Sequence, residues 1–178
     1  EHAGDSVLFF DLTFQPIIEE LADQLKNLKA VVAMADAAHM PKSAILDEKL
    51  PGLKCYEILI AAEPDNFDWP TFDENIASGL CYTSGTTGDP KGVLYSHRSC
   101  VLHAMAINAP DALGLSANDV VCPIVPMFHV NAWGLPFAAP MVGAKLVLPG
   151  ARLDGASLYA LFEAEGVSFT AGVPTVWL

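Results

Sequence analysis

The order of apolar and polar positions near the start of the chain predicts a strand, a helix and a second strand. Residues 6–10 form a short apolar run between two aspartates, which is typical of a buried strand. Pro16 suits the first turn of a helix, and apolar side chains then recur at helical spacing over residues 17–28. A further apolar run covers residues 30–34. This β–α–β order predicts a mostly parallel sheet flanked by helices, and hence an α/β fold.

The next part of the chain shows little periodicity. Residues 36–53 contain Pro41, Pro51 and Gly52, and we interpret them as a surface excursion. Residues 63–75 are acidic and hold two prolines and three aromatic residues, which favours a loop or an internal linker. We therefore divide the chain into an acidic β–α–β segment, residues 1–78, and a second segment, residues 79–178.

The second segment predicts helices and strands in alternation. Ser96 is a good N-cap for a helix that starts at His97, and its apolar positions Val101, Leu102 and Met105 are expected to be buried. Strands are predicted at residues 119–125, 144–148 and 167–171, and a further helix at residues 156–165. The alternation again favours parallel strands covered by helices.

The charges exclude several classes of protein. The 178 residues carry a net charge of −12, of which −10 falls on residues 1–78 (5 Lys/Arg against 15 Asp/Glu) and −2 on residues 79–178 (4 against 6). No basic patch is present, so we expect no nucleic-acid partner. Residues 120–144 are uncharged and long enough to cross a bilayer, but four prolines, His129 and Asn131 interrupt them. We therefore expect no membrane span.

The cysteines and the ends of the chain bear on location and completeness. Cys55, Cys81, Cys100 and Cys122 lack Cys-x-x-Cys spacing, so we interpret them as small buried side chains rather than as a metal site or disulfides. No signal-peptide pattern opens the chain, and we expect a cytoplasmic location. The chain starts without methionine and stops just after an apolar run, so we expect a piece of a larger protein.

Residues 82–93, which read YTSGTTGDPKGV, are the most unusual stretch. They lie between two apolar, strand-like runs and are expected to form a tight loop. Its glycines let an anion approach the backbone, whose successive N–H groups can form a concave anion site. Four hydroxyl side chains and one lysine add further donors, so a polyphosphate is the predicted ligand. The spacing is not that of the common NTPase P-loop, and the alternative is a polar hairpin loop without a ligand.

Residues 127–137, MFHVNAWGLPF, form a second unusual stretch. His129 and Trp133 are four residues apart, so on a helix they would share one face. The preceding predicted strand would place His129 near the carboxyl end of a parallel strand, where open α/β sheets bind ligands. The alternative is a histidine that belongs to the core.

Both stretches resemble the adenylate-forming (AMP-binding) superfamily of acyl- and aryl-CoA ligases. Residues 82–93 match the phosphate-binding signature of that family throughout, with Asp89 at a position that varies. Residues 127–137, with APMVGAKLVLPG at residues 139–150, are most similar to the medium- and long-chain fatty-acyl-CoA ligases. The resemblance is specific from about residue 79 onward and looser before it.

The resemblance implies a fold, a reaction and a set of site residues. The fold would be part of the N-terminal domain of an acyl-CoA ligase, with residues 79–178 supplying the phosphate loop and part of the acyl pocket. The reaction would join a fatty acid to CoA through acyl-AMP, using ATP and Mg²⁺. His129 would be catalytic, Thr83 would touch the metal and Trp133 would border the acyl tunnel. The nucleotide would be bound by Thr83, Ser84, Gly85, Thr86, Thr87, Gly88, Lys91 and His129.

Several parts of the family pattern are expected to lie beyond Leu178. They are the Tyr-Gly-x-Thr-Glu motif, the ribose-binding aspartate and the catalytic lysine of the C-terminal domain, which is absent from these residues. We therefore expect the 178-residue chain alone to be inactive. The partners of the complete enzyme would be ATP, a fatty acid and CoA, and a homodimer is compatible with the resemblance. The alternatives are a non-catalytic nucleotide- or phosphate-binding module and an adenylating ligase for aryl or other carboxylic acids.

Overall fold

A computed structural model of the chain describes residues 3–83 and 88–177. It divides into two compact units, Glu1–Pro70 and Thr71–Leu178. The division falls inside residues 63–75, which form neither helix nor strand, so the loop predicted there is confirmed. Each unit has a hydrophobic core of its own.

The first unit is a small parallel sheet with helices. Strand β1 (Val7–Phe10) pairs in parallel with β2 (Ala30–Ala33), and helix α1 (Gln15–Leu25) connects them. Pro16 lies in the first turn of α1, where its missing N–H leaves no hydrogen bond unmade. The predicted β–α–β unit is therefore confirmed. The remaining elements are α2 (Ala44–Lys49), β3 (Lys54–Cys55), which extends the parallel sheet beside β2, and α3 (Tyr56–Ala61).

Residues 36–53 contribute to the core of this unit. Ser43 caps α2, because its hydroxyl accepts a hydrogen bond from the backbone N–H of Leu46 at 3.3 Å. Leu46 and Leu50 are both buried in the core. The prediction of a surface excursion is wrong here, since a helix of 6 residues has too few apolar positions to show a period in the sequence. Strand β1 also differs from the prediction, because Phe10 is buried but Phe9 on its other face is exposed.

The second unit combines an antiparallel hairpin with a second parallel sheet. Strands β4 (Ala77–Thr83) and β5 (Lys91–Ser96) form the hairpin. In the parallel sheet, β6 (Val120–Pro123) lies between β7 (Lys145–Leu146) and β8 (Phe169–Ala171). These elements confirm the α/β fold. The helices are α4 (His97–Ile107), α5 (Val130–Trp133), α6 (Leu135–Val142), α7 (Gly155–Glu165) and α8 (Pro174–Trp177).

Helix α4 begins as predicted but buries a different face. Ser96 and Ser99 form a capping box at its N-terminus. The predicted buried positions Val101, Leu102 and Met105 are all exposed, so that prediction is wrong.

The reason is a close approach of α4 to α6 through small side chains. Ala104 is fully buried and belongs to the same core cluster as Ala138 and Ala139 of α6. Asn108 continues the contact, since its side-chain amide donates a hydrogen bond to the carbonyl of Ala138 at 2.9 Å. A search for large apolar residues at helical spacing misses an interface of this kind.

Polar anchors fix the start of the central strand β6. Asp119 accepts hydrogen bonds from the N–H and hydroxyl of Ser116 and from the hydroxyl of Ser168, at 2.8–2.9 Å. These bonds, led by the one from the Ser116 N–H, hold the pKa of the Asp119 carboxyl below its ordinary value. In the strand itself, Cys122 is fully buried, and burial raises the pKa of its thiol. None of the helices in residues 3–83 and 88–177 has the length and apolar character that a membrane crossing requires.

In the first unit, Asp23 links α1 to α2, and we expect this link to make the stability of the unit depend on pH. Its carboxylate contacts Lys26 at 2.6 Å and Lys49 at 2.5 Å, and these hydrogen bonds lower its pKa from 3.8 to about 2. Because the folded pKa is depressed, the stabilisation is complete above about pH 4 and is lost as the pH falls toward about 2. We expect Asp23→Asn to lower the melting temperature at neutral pH, by an amount that shrinks across this window.

The control is Asp65→Asn, which removes an exposed carboxylate from the loop between the units. Thermal unfolding of both variants and of the unmodified chain at several pH values measures the difference. A destabilisation by Asp23→Asn that stays constant down to about pH 2 would contradict the assignment.

Candidate functional site

The hairpin presents two of the predicted nucleotide-binding residues opposite each other. Thr83 at the end of β4 pairs with Lys91 at the start of β5. The Thr83 hydroxyl donates a hydrogen bond to the carbonyl of Lys91 at 3.4 Å, and both residues are exposed. The hydroxyl and the lysine thus lie together where the hairpin opens into its loop.

The loop itself carries the other predicted phosphate-binding residues. Ser84, Gly85, Thr86 and Thr87 lie outside the described residues. Gly88 follows them with a φ of +124°, a conformation that side-chain-bearing residues rarely adopt, and a Cβ added to it would meet no atom within 4 Å. Backbone of this kind leaves room for a ligand to approach closely.

The residues available to hold a metal ion are hydroxyls rather than a carboxylate cluster. In the part of the chain that the structure describes, no group of three or more His, Cys, Asp or Glu residues is placed to bind a metal ion. Thr83 is exposed, and its hydroxyl oxygen keeps its lone pairs while it donates a hydrogen bond to the backbone carbonyl of Lys91. A hard cation such as Mg²⁺ accepts oxygen ligands of this kind alongside phosphate oxygens.

The short element α5, which follows β6, is a left-handed turn and not an ordinary helix. The φ angles of Val130, Asn131, Ala132 and Trp133 are 50°, 50°, 49° and 55°. Left-handed backbone costs about 1–2 kcal/mol for each residue with a side chain other than asparagine, so Val130, Ala132 and Trp133 together cost about 3–6 kcal/mol. His129 precedes the turn in an extended conformation, with a φ of −108° and a ψ of 108°. The expectation that His129 and Trp133 share one face of an ordinary helix is therefore wrong.

Several contacts hold this left-handed turn in place. Within it, Ala132 is fully buried and its N–H donates to the carbonyl of His129 at 3.1 Å. The side-chain oxygen of Asn131 accepts a hydrogen bond from the thiol of Cys81 on β4, with an Sγ–Oδ1 distance of 3.2 Å. At the end of the turn, Gly134 has a φ of +78° and lies against the ring of His103. These contacts offset the cost of the strained backbone.

Trp133 borders an apolar cleft of about 580 Å³. Two polar side chains line this cleft, and the hydroxyl of one of them, Thr170, is occupied by a hydrogen bond to the carbonyl of Cys122 at 2.7 Å. The imidazole of His103 is the other. A long apolar ligand therefore suits the cleft better than a polar one. The lining residues are His103, Ile107, Ala112, Leu113, Trp133, Leu135, Phe169, Thr170, Ala171, Gly172 and Trp177.

The hydrogen bond between Cys81 and Asn131 brings the two predicted parts of the site together. Alternate residues of a strand point to the same face, so Thr83 lies on the face of β4 that carries Cys81. On the other partner, His129 and Trp133 lie two residues before and after Asn131. His129 is exposed, at the end of the segment that leaves β6.

The model of one protein family, described as AMP-binding enzyme, matches residues 1–178. The chain belongs to the AMP-binding enzyme family.

Two relatives of this family member are named as CoA ligases. Over 176 residues, 99% of the chain, it is 59% identical to a medium-chain-fatty-acid–CoA ligase of Ectopseudomonas oleovorans. It is 53% identical over the same share to a 3-methylmercaptopropionyl-CoA ligase of Ruegeria lacuscaerulensis. The chain spans 31% and 32% of the lengths of these two relatives.

The fold of this AMP-binding family member recurs among solved structures. An acyl-CoA synthetase of Brucella canis superimposes with a TM-score of 0.74, at 18% identity. The match covers 98% of this chain and 29% of that structure. It supports the assignment of the fold.

Sequence reasoning missed three residues of the site: Cys81, Asn131 and His103. Cys81 is buried as expected of a small apolar side chain, but it also donates a hydrogen bond. His103 belongs to neither of the two stretches identified in the sequence, yet it lines the cleft and contacts Gly134. One available signal was Asn131, because asparagine is enriched several-fold at positive φ.

Gly134 makes the packing of the turn testable. A Cβ at this position would lie 2.5 Å from Nδ1 of His103, and the φ of +78° would add strain. We expect Gly134→Ala to lower the free energy of unfolding by more than the roughly 1–2 kcal/mol of the left-handed backbone alone. Denaturant unfolding measures the change.

Gly150→Ala is the matched control, because Gly150 has a φ of +66° and an added Cβ there would meet no atom within 4 Å. It carries the backbone cost without the collision. Combining Gly134→Ala with His103→Ala should recover the part of the lost unfolding free energy that is due to the collision. Equal losses in Gly134→Ala and Gly150→Ala would contradict the close packing of His103 on the turn.

Proposed function

We propose that the protein activates a fatty acid with ATP to give an acyl-adenylate and pyrophosphate, and then transfers the acyl group to CoA. The observation that carries this proposal is the hydrogen bond between Cys81 and Asn131, which joins a phosphate-binding type of hairpin to a turn that borders an apolar cleft. Membership of the AMP-binding family supports the adenylate chemistry. The name of the Ectopseudomonas relative supports a medium-chain fatty acid as substrate.

The hairpin loop would hold the triphosphate. Lys91 supplies a positive charge and Thr83 a hydroxyl at the mouth of the hairpin, and Ser84, Gly85, Thr86, Thr87 and Gly88 would supply further hydroxyl and backbone N–H donors. In the first step a carboxylate oxygen of the acid attacks the α-phosphorus of ATP, and the bond from this phosphorus to the bridging oxygen of pyrophosphate breaks. Donors held in place before the reaction stabilise the charge that develops on the leaving pyrophosphate.

The turn after β6 would hold the acid. An imidazole N–H of His129 would donate to an oxygen of the acid carboxylate or of the α-phosphate, and so orient the two reacting groups. Trp133 would cover the apolar chain where it enters the cleft. In the second step the sulfur of CoA attacks the acyl carbon, the bond to the phosphate oxygen breaks and AMP leaves. When bound, Mg²⁺ would neutralise phosphate charge, with the Thr83 hydroxyl among its ligands.

We also propose that residues 1–178 form part of a larger adenylation domain, because the chain spans about a third of its relatives. Residues 1–78 would be the acidic β–α–β segment, and residues 79–178 would supply the phosphate loop and the acyl pocket. The four free cysteines support a cytoplasmic location. A homodimer remains compatible with the family.

Two other functions give different results in one assay. Exchange of labelled pyrophosphate into ATP, measured on the protein at its natural length, reports the first step alone. Exchange that depends on a fatty acid supports the proposal. Exchange that depends instead on an aryl acid, or on 3-methylmercaptopropionate as the name of the Ruegeria relative suggests, supports a different ligase. Binding of ATP without exchange under any acid supports a non-catalytic nucleotide-binding module.

Lys91 gives a direct test of phosphate binding. A hydrogen bond that involves a charged group contributes about 1.5–3 kcal/mol. We expect Lys91→Met to weaken ATP binding and pyrophosphate exchange by about tenfold to a hundredfold. Titration calorimetry and the exchange assay measure the two effects.

Lys42→Met is the matched control, because Lys42 is an exposed lysine of the first unit. It removes the same charge from the protein at a distant position in the sequence. If both variants bind ATP equally well, Lys91 does not contact the triphosphate.

Trp133 tests the acyl side of the site. Burial of each substrate methylene contributes about 0.8 kcal/mol, so kcat/KM should rise about fourfold for each methylene that reaches the cleft. Trp133→Ala should flatten this dependence over an acid series from hexanoate to tetradecanoate, while Trp133→Phe should retain most of it. An unchanged dependence in Trp133→Ala would show that the acyl chain does not pass this residue.

A further inference from the structure

The thiol of Cys81 joins two segments that are 50 residues apart in the chain. It donates to the side-chain oxygen of Asn131, with an Sγ–Oδ1 distance of 3.2 Å, a short separation for a hydrogen bond from a thiol. Cys81 is 8% exposed and Asn131 is half-buried, so water competes little for this bond. The bond therefore connects β4, which leads into the phosphate loop, with the left-handed turn.

The left-handed turn depends on such contacts. Asparagine is one of the few residues with a side chain that adopt positive φ readily, but Val130 is β-branched and is an outlier in this conformation. Strained backbone of this kind persists only where surrounding contacts determine it. Within the turn the backbone bonds from Ala132 to His129 and from Gly134 to Asn131 are local, and they do not fix its position relative to the hairpin.

Three of the proposed site residues, Thr83, His129 and Trp133, lie within two residues of one end of this bond. Thr83 follows Cys81 by two residues on the same strand face, a separation of about 7 Å along the strand. His129 and Trp133 are each two residues from Asn131. A shift of the turn relative to β4 would therefore move His129 and Trp133 relative to Thr83.

We propose that Cys81 and Asn131 are positioning residues, whose hydrogen bond sets the left-handed turn in register with the phosphate-loop strand. The catalytic part of this inference rests on the proposed ligase function, whereas the structural role of the Cys81–Asn131 hydrogen bond does not. Neither residue needs to touch substrate. Their loss should affect the alignment of the carboxylate with the α-phosphate, and hence kcat, more than it affects the binding of ATP.

Steady-state kinetics on the protein at its natural length test the catalytic part. Cys81→Ala removes the donor, and Asn131→Gly removes the acceptor while still permitting positive φ. Each is expected to lower kcat about fivefold, which corresponds to about 1 kcal/mol for one net hydrogen bond, with KM for ATP little changed. Because both variants lose the same bond, the double variant should be no slower than the single ones. Cys81→Ser keeps a donor and should recover part of the rate.

Cys55→Ala is the matched control, since Cys55 is 7% exposed and its thiol donates to the carbonyl of Ala35 at 3.1 Å in the first unit. It loses the same kind of group at similar burial, and its kcat should stay unchanged. Effects of Cys81→Ala and Asn131→Gly that multiply in the double variant would overturn the proposal. A kcat of Cys81→Ala equal to that of the unmodified protein would do the same.

A second measurement needs no enzymatic activity. Alkylation of the native protein with iodoacetamide, followed by mass spectrometry, gives the labelling rate of each cysteine. Asn131→Gly should speed labelling of Cys81 about fivefold or more, because its thiol loses its partner, while the buried Cys55 and Cys122 serve as internal references. If no acid supports activity but this change is seen, the proposed ligase function is wrong and the hydrogen bond between Cys81 and Asn131 is supported. If the labelling of Cys81 does not change, the hydrogen bond itself is overturned.

Discussion

A short stretch of left-handed backbone determines how the candidate site is arranged. Val130 to Trp133 is a run of residues with side chains in a conformation that L-amino acids disfavour. Between the central strand β6 and helix α6, this turn reverses the local handedness and sends Trp133 toward the cleft while His129 stays outside. The buried Ala132, the bond from Cys81 and the fit of His103 against Gly134 all oppose its relaxation. The geometry of the site is therefore set by contacts other than those of the Thr83, His129 and Trp133 side chains.

The second unit packs these elements together with unusually small side chains. Ala104, Ala132, Ala138 and Ala139 are all fully buried in one cluster. Small residues let backbones approach closely, so the position of α4 relative to α6 is set by main-chain contact and by the amide of Asn108. Since close-packed interiors tolerate added volume poorly, larger residues at these positions would push the helices apart. Because His103 lies on α4, such a shift would also displace His103.

Local signals in the sequence were enough for much of the fold. Pro16 and Ser96 mark helix starts through their own backbone or hydroxyl chemistry, which does not depend on distant parts of the chain. The hairpin could also be predicted from local sequence, because glycines and hydroxyl side chains separate two apolar runs. The exposed face of α4 could not be predicted, because burial there is decided by which helix approaches and not by the apolar period. The left-handed turn could not be predicted either, because its four residues adopt this conformation only through contacts with residues distant in the sequence. Thr83 and Lys91 were predicted from the motif, whereas the positioning role of Cys81 depends on its contact with Asn131, which is 50 residues away in the chain.

The central strand of the second sheet also has a chemical consequence. Cys122 lies in β6 with no exposed surface, and burial raises the pKa of its thiol. Oxidants and electrophiles react with the thiolate, which this environment disfavours. The strand that precedes the candidate site is therefore shielded from oxidative damage by the same burial that packs it.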